Sequence, residues 1–323
     1  MPHAIVVHEV GGPEKLRWEQ VDVPAPGPGQ VRIRHTAVGL NFIDIYHRIG
    51  LYKVPLPTVI GQEGTGIVEA VGEGVTSVAK GDRVIYTGLM GGYSEERVAP
   101  ADRLVKLPDE IEDNIGAAVF LKGLTAEYLL HRTFPIRPGH TVLLHAAAGG
   151  VGSIATPWAK SLGATVIGTV GSQEKAKLAK EQGCDHVIVT SEENFVARVK
   201  ELTGGRGVDV VYDSIGKDTV SGSLDCLVRR GMLVSFGQSS GSVPPLDLAT
   251  ISGPRSLFVT RPSLIAYTTT REELDGAANA LFDVLKKRIV VLRAPRIFPL
   301  KDAAEAQRAL ESRATTGSVV LVP

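Results

Sequence analysis

Apolar and polar positions in the first third of the chain alternate in short runs. Residues 4–7, 31–35, 66–71 and 82–86 read as strands. Turn chemistry separates them at Pro24-Ala25-Pro26-Gly27-Pro28-Gly29, Gly72-Glu73-Gly74 and Lys80-Gly81-Asp82. Short strands with frequent turns predict a compact, barrel-like β domain. The period then lengthens. Over 114–134, Ala117, Ala118, Leu121, Leu124, Tyr128 and Leu129 recur at helical spacing, which predicts one long helix.

A second rhythm starts at Thr141. Apolar runs at 141–144, 166–169, 187–189, 209–212, 232–236 and 257–259 predict six strands, with helices over 151–162, 174–182, 193–202 and 218–228 between them. Strand and helix in alternation with short connections imply a parallel, doubly wound sheet. Beyond Pro262 the alternation ends. Helices at 271–287 and 302–312 and a strand at 318–322 suggest a tail that returns to the first domain.

Composition narrows the classes. Lys and Arg together number 35 of the 323 residues, and so do Asp and Glu, so no global field favours nucleic acid or an anionic membrane. No apolar stretch approaches the roughly 20 residues of a spanning helix, and Met1-Pro2-His3-Ala4-Ile5 lacks the form of a signal peptide. Two cysteines far apart in sequence, Cys184 and Cys226, suggest a reducing compartment, and a cytoplasmic location is expected.

The stretch His145-Ala146-Ala147-Ala148-Gly149-Gly150-Val151-Gly152 joins the first strand of the second series to its helix. A strand-to-helix turn of small residues serves either tight packing or a pyrophosphate. Its position at the head of a βα series favours the phosphate: Gly149 permits close approach, Gly152 permits helix-to-strand packing, and the helix amides offer a favourable dipole. Ala147 stands where the usual pattern has its first glycine. An acidic residue is expected about 20 positions on, to hold a ribose. Gly171, Ser172 and Lys175 are found there instead, which favours NADPH over NADH; Glu174 opposes that choice unless it points away, and Lys175 has the alternative of being a solvated helix residue.

Several further motifs converge. Gly39-Leu40-Asn41-Phe42-Ile43-Asp44, Pro57-Thr58-Val59-Ile60-Gly61-Gln62-Glu63-Gly64-Thr65-Gly66, Ala146 to Gly152, Val211-Tyr212-Asp213-Ser214-Ile215-Gly216, Val234 to Gly241, Thr260 to Leu264 and Glu311 to Gly317 together resemble the zinc-independent quinone oxidoreductases of the medium-chain dehydrogenase/reductase superfamily, the zeta-crystallin-like group. The resemblance covers essentially the whole chain. It implies an α/β protein with a GroES-like, β-rich catalytic domain over 1–125, completed by 266–323, and a doubly wound six-stranded Rossmann domain for NADPH over 126–265. A cleft between the domains and a homodimer are also implied.

The same resemblance assigns candidate residues. Asn41, Tyr46 and Tyr52 match the catalytic cleft. Asp44, Thr125, Ala147, Gly149, Gly150, Val151, Gly152, Ser172, Lys175, Phe236, Gln238 and Arg313 match the cofactor side, with Lys175 and Arg313 at basic positions for the 2′-phosphate. Thr190 replaces an aromatic residue that accompanies them in relatives. Zinc-dependent members of the superfamily place ligands where this chain has Asn41, Gln62 and Lys122, a set unsuited to zinc; His47 nearby reads as structural or exposed. The implied activity is NADPH-dependent reduction of quinones. Reduction of α,β-unsaturated carbonyl compounds is the near alternative, and a non-catalytic NADPH- or RNA-binding role the alternative from another class.

Overall fold

The computed structural model describes residues 1–253, 255–312 and 317–323. Packing divides the chain into two compact units: Met1–Lys122 with Thr269–Phe282 and Arg293–Pro323, and Gly123–Thr268 with Asp283–Leu292.

The first unit is built on strand Gln30–Leu40. Val31 and Ile33 are fully buried in its core, whereas Arg32 and Arg34 alternate outward to bind Glu96 at 2.7 Å and Glu69 at 2.8 Å. This period of two is what a half-buried strand requires. Glu63–Val71 and Glu96–Pro100 pair antiparallel with it, and the sheet continues through Arg83–Thr87 to Val105–Lys106. The returning strand Val319–Val322 pairs with its end, Val319 opposite Leu40. A second sheet holds His3–Val7 between Leu16–Gln20 and Thr58–Val59. The short strands 16–20, 58–59, 96–100, 105–106 and 296–299 add to those predicted.

Helix α1, Phe42–Arg48, leaves the end of the long strand. Its last residue, Arg48, is 1% exposed and donates to Gly11 O, to Gln307 Oε1 at 2.6 Å and to both oxygens of Glu311. A buried guanidinium needs this many acceptors, and they pin α1 to the C-terminal helix Ala303–Glu311.

Helix α2 spans Asp113–Tyr128, and the predicted helix does not continue to 134. Leu129–Thr133 forms a wider π turn, and the Leu129 carbonyl accepts from the Tyr212 hydroxyl at 2.9 Å. The tertiary bond satisfies a carbonyl at the point where the α ladder gives way.

In the second unit six strands form one parallel sheet in the order His186–Val189, Thr165–Val170, Thr141–Leu144, Val208–Asp213, Leu227–Ser235, Phe258–Thr260. The order reverses between Thr141–Leu144 and Val208–Asp213, the switch point at which such folds bind ligands. Leu143, Ile167, Val211 and Leu233 fill the core. Helices α3, Gly152–Ser161, and α4, Gln173–Glu181, follow the first two strands. The helix predicted over 218–228 is shorter, Val220–Asp225, because Leu227 and Val228 already belong to the next strand. Among the described residues no helix is long and apolar enough to cross a membrane.

Candidate functional site

The glycine loop sits at the carboxyl end of strand Thr141–Leu144 and opens directly into α3. Ala146 takes a left-handed conformation, φ 52°, which carries the chain sharply out of the sheet. Ala147 N then donates to Thr169 O at 3.0 Å and Gly149 N to Ala146 O at 2.8 Å. A Cβ on Gly152 would lie 2.4 Å from the Ala146 carbonyl oxygen and 2.5 Å from that of Ala147, so only glycine lets the helix start this close. Gly168 completes the fit: a Cβ there would lie 2.7 Å from the Ala147 methyl. Ala147 is therefore accommodated in place of the expected glycine because the neighbouring strand gives way. Gly150 and Val151 lie between, half-buried, at the mouth of α3.

After the second strand, Gly171 is exposed and a Cβ there would meet nothing within 4 Å. Ser172 caps α4, its Oγ accepting from Lys175 N at 3.4 Å. The cap uses a lone pair of the hydroxyl and leaves its proton free to donate. Lys175 is half-buried and Glu174 exposed, one residue apart on α4. Thr190 is exposed and its hydroxyl donates to Val170 O. Phe236 is half-buried, Gln238 and Thr125 are buried, and Arg313 lies outside the described residues.

Beneath these loops runs a network that sequence reasoning missed. His145, 1% exposed, is hydrogen-bonded through Nδ1 to Thr169 Oγ1 and through Nε2 to Ser223 Oγ, both at 2.9 Å. Ser223 Oγ donates to Asp213 Oδ2, and Thr219 Oγ1 donates to the same carboxylate. Asp213 Oδ1 accepts from the amides of Ile215 and Gly216. Burial holds the His145 imidazole below its ordinary pKa, against the pull of Asp213. The network ties three strand ends together and fixes the 213–216 turn; the polar residues His145 and Asp213, each closing an apolar run, were its only trace in sequence.

In the first unit the candidate residues cluster around the start of α1. Asn41 Nδ2 donates to Glu63 Oε2 at 2.8 Å. Glu63 is fully buried, and its carboxylate also accepts from Leu121 N at 2.6 Å and from Lys122 Nζ at 3.4 Å. Asp44, expected at the cofactor, is fully buried behind Asn41: its Oδ2 accepts from Asn41 N at 2.9 Å and from the Tyr93 hydroxyl at 3.0 Å. Its Oδ1 has no hydrogen-bond partner among the described residues. Burial raises this carboxyl from 3.8 to about 7, with the Asn41 and Tyr93 hydrogen bonds opposing.

Tyr46 and Tyr52 meet edge to face, ring centroids 5.4 Å apart, and Phe42 lies 6.4 Å from Tyr46. His47 is buried in this cluster, bonded to the Tyr52 carbonyl and to Gln62 Nε2. Gln62 follows Gly61, whose φ of +95° and packing against Tyr93 exclude any side chain. The three positions that the resemblance sets against zinc ligands thus hold an amide, a second amide and an ammonium. Lys122 supplies a positive charge beside Glu63, and an ammonium repels a metal cation. This donor set does not fit zinc.

Residues 150–282 match the zinc-binding dehydrogenase family and residues 27–109 the alcohol dehydrogenase GroES-like domain. The chain is 48% identical to quinone oxidoreductase 1 of Escherichia coli over 327 residues, covering 100% of both chains. It is 49% identical to a 2-haloacrylate reductase of a Burkholderia species over 333 residues, covering 100% of this chain and 99% of that one. The crystal structure of Escherichia coli quinone oxidoreductase complexed with NADPH superimposes with a TM-score of 0.97 over 99% of this chain and 100% of that one, at 48% identity.

Proposed function

The chain belongs to the zinc-independent quinone oxidoreductases of the medium-chain dehydrogenase/reductase superfamily, and from that membership we propose that it reduces quinones with NADPH. The observation that carries this reading is the Asn41–Glu63–Lys122 cluster. It offers hydrogen bonds to orient a carbonyl acceptor but no Lewis acid to activate a saturated alcohol. A quinone is already electron-poor and needs orientation more than activation.

NADPH fits the second unit. The close backbone approach that Gly149 permits, the amide dipoles opening α3 and the open space at Gly171 suit its phosphates and adenosine. When bound, it supplies the hydride from its nicotinamide. Ala147, Gly149, Gly150, Val151 and Gly152 cradle the pyrophosphate with backbone. Ser172 and Lys175 hold the 2′-phosphate, and Thr125, Phe236 and Gln238 border the nicotinamide. Asn41, Tyr46 and Tyr52 orient the acceptor, and Asp44 braces Asn41 through its backbone amide.

Steady-state NADPH oxidation with matched panels of quinones and α,β-unsaturated carbonyls tests the proposal. Turnover with quinones at higher kcat/KM is expected. A strict preference for activated alkenes would favour the second reading, which the 2-haloacrylate reductase similarity supports. NADPH binding without turnover of any acceptor would point to the non-catalytic class.

The assembly we propose is a homodimer. Its support is the edge strand Phe258–Thr260, where Phe258 is 55% exposed at the end of the sheet. Two free, buried cysteines fit a reducing compartment, and the cytoplasm is the location proposed.

A further inference from the structure

The hydrogen-bond roles at His47 are determined by their partners. A backbone carbonyl only accepts, so the contact at 3.3 Å between His47 Nδ1 and Tyr52 O places a proton on Nδ1. The neutral ring then carries a lone pair on Nε2. The atom of Gln62 that faces it at 2.8 Å must donate, and is the amide nitrogen. Burial lowers the His47 pKa, with the Tyr52 carbonyl opposing, which keeps the ring in this neutral form. The amide of Gln62 is thereby locked with Oε1 turned away from the ring. That oxygen has no hydrogen-bond partner among the described residues, although the residue is only 7% exposed, and it is not sealed from solvent. Gln62 adjoins Glu63, the residue that holds the Asn41 amide.

An unpaired acceptor on a buried side chain, still reached by solvent, is a selective feature. Bare quinone rings present only acceptors of their own. A ring hydroxyl is a donor, and a site that offers an unpaired acceptor discriminates for it. We propose that the His47–Gln62 pair determines acceptor specificity, presenting the Gln62 carbonyl oxygen to a ring hydroxyl so that hydroxylated quinones are favoured over unsubstituted ones. Gln62 makes the contact, and His47 is a positioning residue. The inference rests on the quinone reductase reading.

The test compares kcat/KM for a naphthoquinone hydroxylated on its benzenoid ring away from the carbonyls, at a pH where that hydroxyl is un-ionised, with that for its unsubstituted parent and its methyl ether, using the intact protein and NADPH. The quantity read is the ratio of variant to wild type, which cancels the intrinsic reactivity of each quinone. Gln62→Met is expected to lower the hydroxyl-to-parent ratio by roughly 2- to 10-fold, the worth of one neutral hydrogen bond. His47→Leu, which releases the amide, is expected to lower it in the same direction by less, through KM. Wild-type protein, which requires no variant to fold, is expected to show a lower KM for the hydroxylated quinone than for its methyl ether. An unchanged ratio in Gln62→Met, or equal wild-type KM values for hydroxyl and ether, overturns the inference while leaving quinone turnover intact. No turnover of any of the three quinones overturns the activity and the inference together.

Discussion

Asp44 combines an indispensable hydrogen bond with an unfavourable charge. Its Oδ2 closes the start of α1 on Asn41 N, yet the carboxyl is fully buried with Oδ1 unpartnered. Its folded pKa of about 7 lies above the ordinary 3.8, chiefly through burial. The fold therefore favours the neutral acid. The associated stabilisation is complete below pH 3.8 and is lost as the pH rises through about 7. His35 runs the other way: burial lowers it from 6.5 to about 3, so its contribution is present at higher pH and is lost as the pH falls across that interval. Thermal unfolding of wild type and Asp44→Asn between pH 4 and pH 8 separates the two. The Tm advantage of wild type over the variant is expected to shrink as pH rises, because an amide keeps one acceptor for Asn41 and Tyr93 and never ionises. A constant difference across that range would show that Asp44 stays ionised in the fold.

At the scale of elements, the start of α4 carries the residues proposed for the 2′-phosphate. Ser172 caps it, Gly171 leaves open space before it, and Lys175 stands in its first turn, half-buried, with Glu174 turned to solvent. Lys175→Ala is expected to weaken NADPH binding by about 1 to 3 kcal/mol, the loss of one charge-assisted hydrogen bond, and to leave NADH nearly unchanged. Calorimetric titration with both cofactors reads the difference; equal weakening would assign Lys175 to folding. The elements themselves were legible where apolar runs were long. All six strands of the parallel sheet stand near their predicted places, because strands buried on both faces form continuous apolar runs. Boundaries set by tertiary partners were not. The end of α2 depends on Tyr212, 83 residues further along, and Leu227 and Val228 join a strand although they extend a helical pattern. Short strands such as Thr58–Val59 and Val105–Lys106 carry too few positions for any period to show.

Across the whole molecule, local motifs were legible and long-range polar pairing was not. The glycine loop announces itself within eight residues, whereas His145 meets Ser223 and Asn41 meets Glu63 across 78 and 22 positions. No periodicity marks such pairs, and His47 passed for a structural or exposed residue because its partner Gln62 lies 15 positions away. These long-range pairs also decide the question of metal. Where zinc-dependent relatives gather ligands, the buried carboxylate of Glu63 is already engaged by Asn41, Leu121 N and Lys122. Binding zinc there would require Lys122 to lose its proton or leave, breaking a buried ion pair, a change that strongly destabilises. Protein purified without added metal is therefore expected to contain no stoichiometric zinc by elemental analysis, and chelator treatment is expected to leave quinone turnover and Tm unchanged. Lys122→Ala removes the ammonium and leaves Glu63 buried without its counter-charge; it is expected to lower stability by about 3 to 5 kcal/mol, the cost of breaking a buried pair. One tightly held zinc per chain, whose removal abolishes turnover, would mean that Lys122 is displaced in the working enzyme and that the ammonium does not stand in the metal's place.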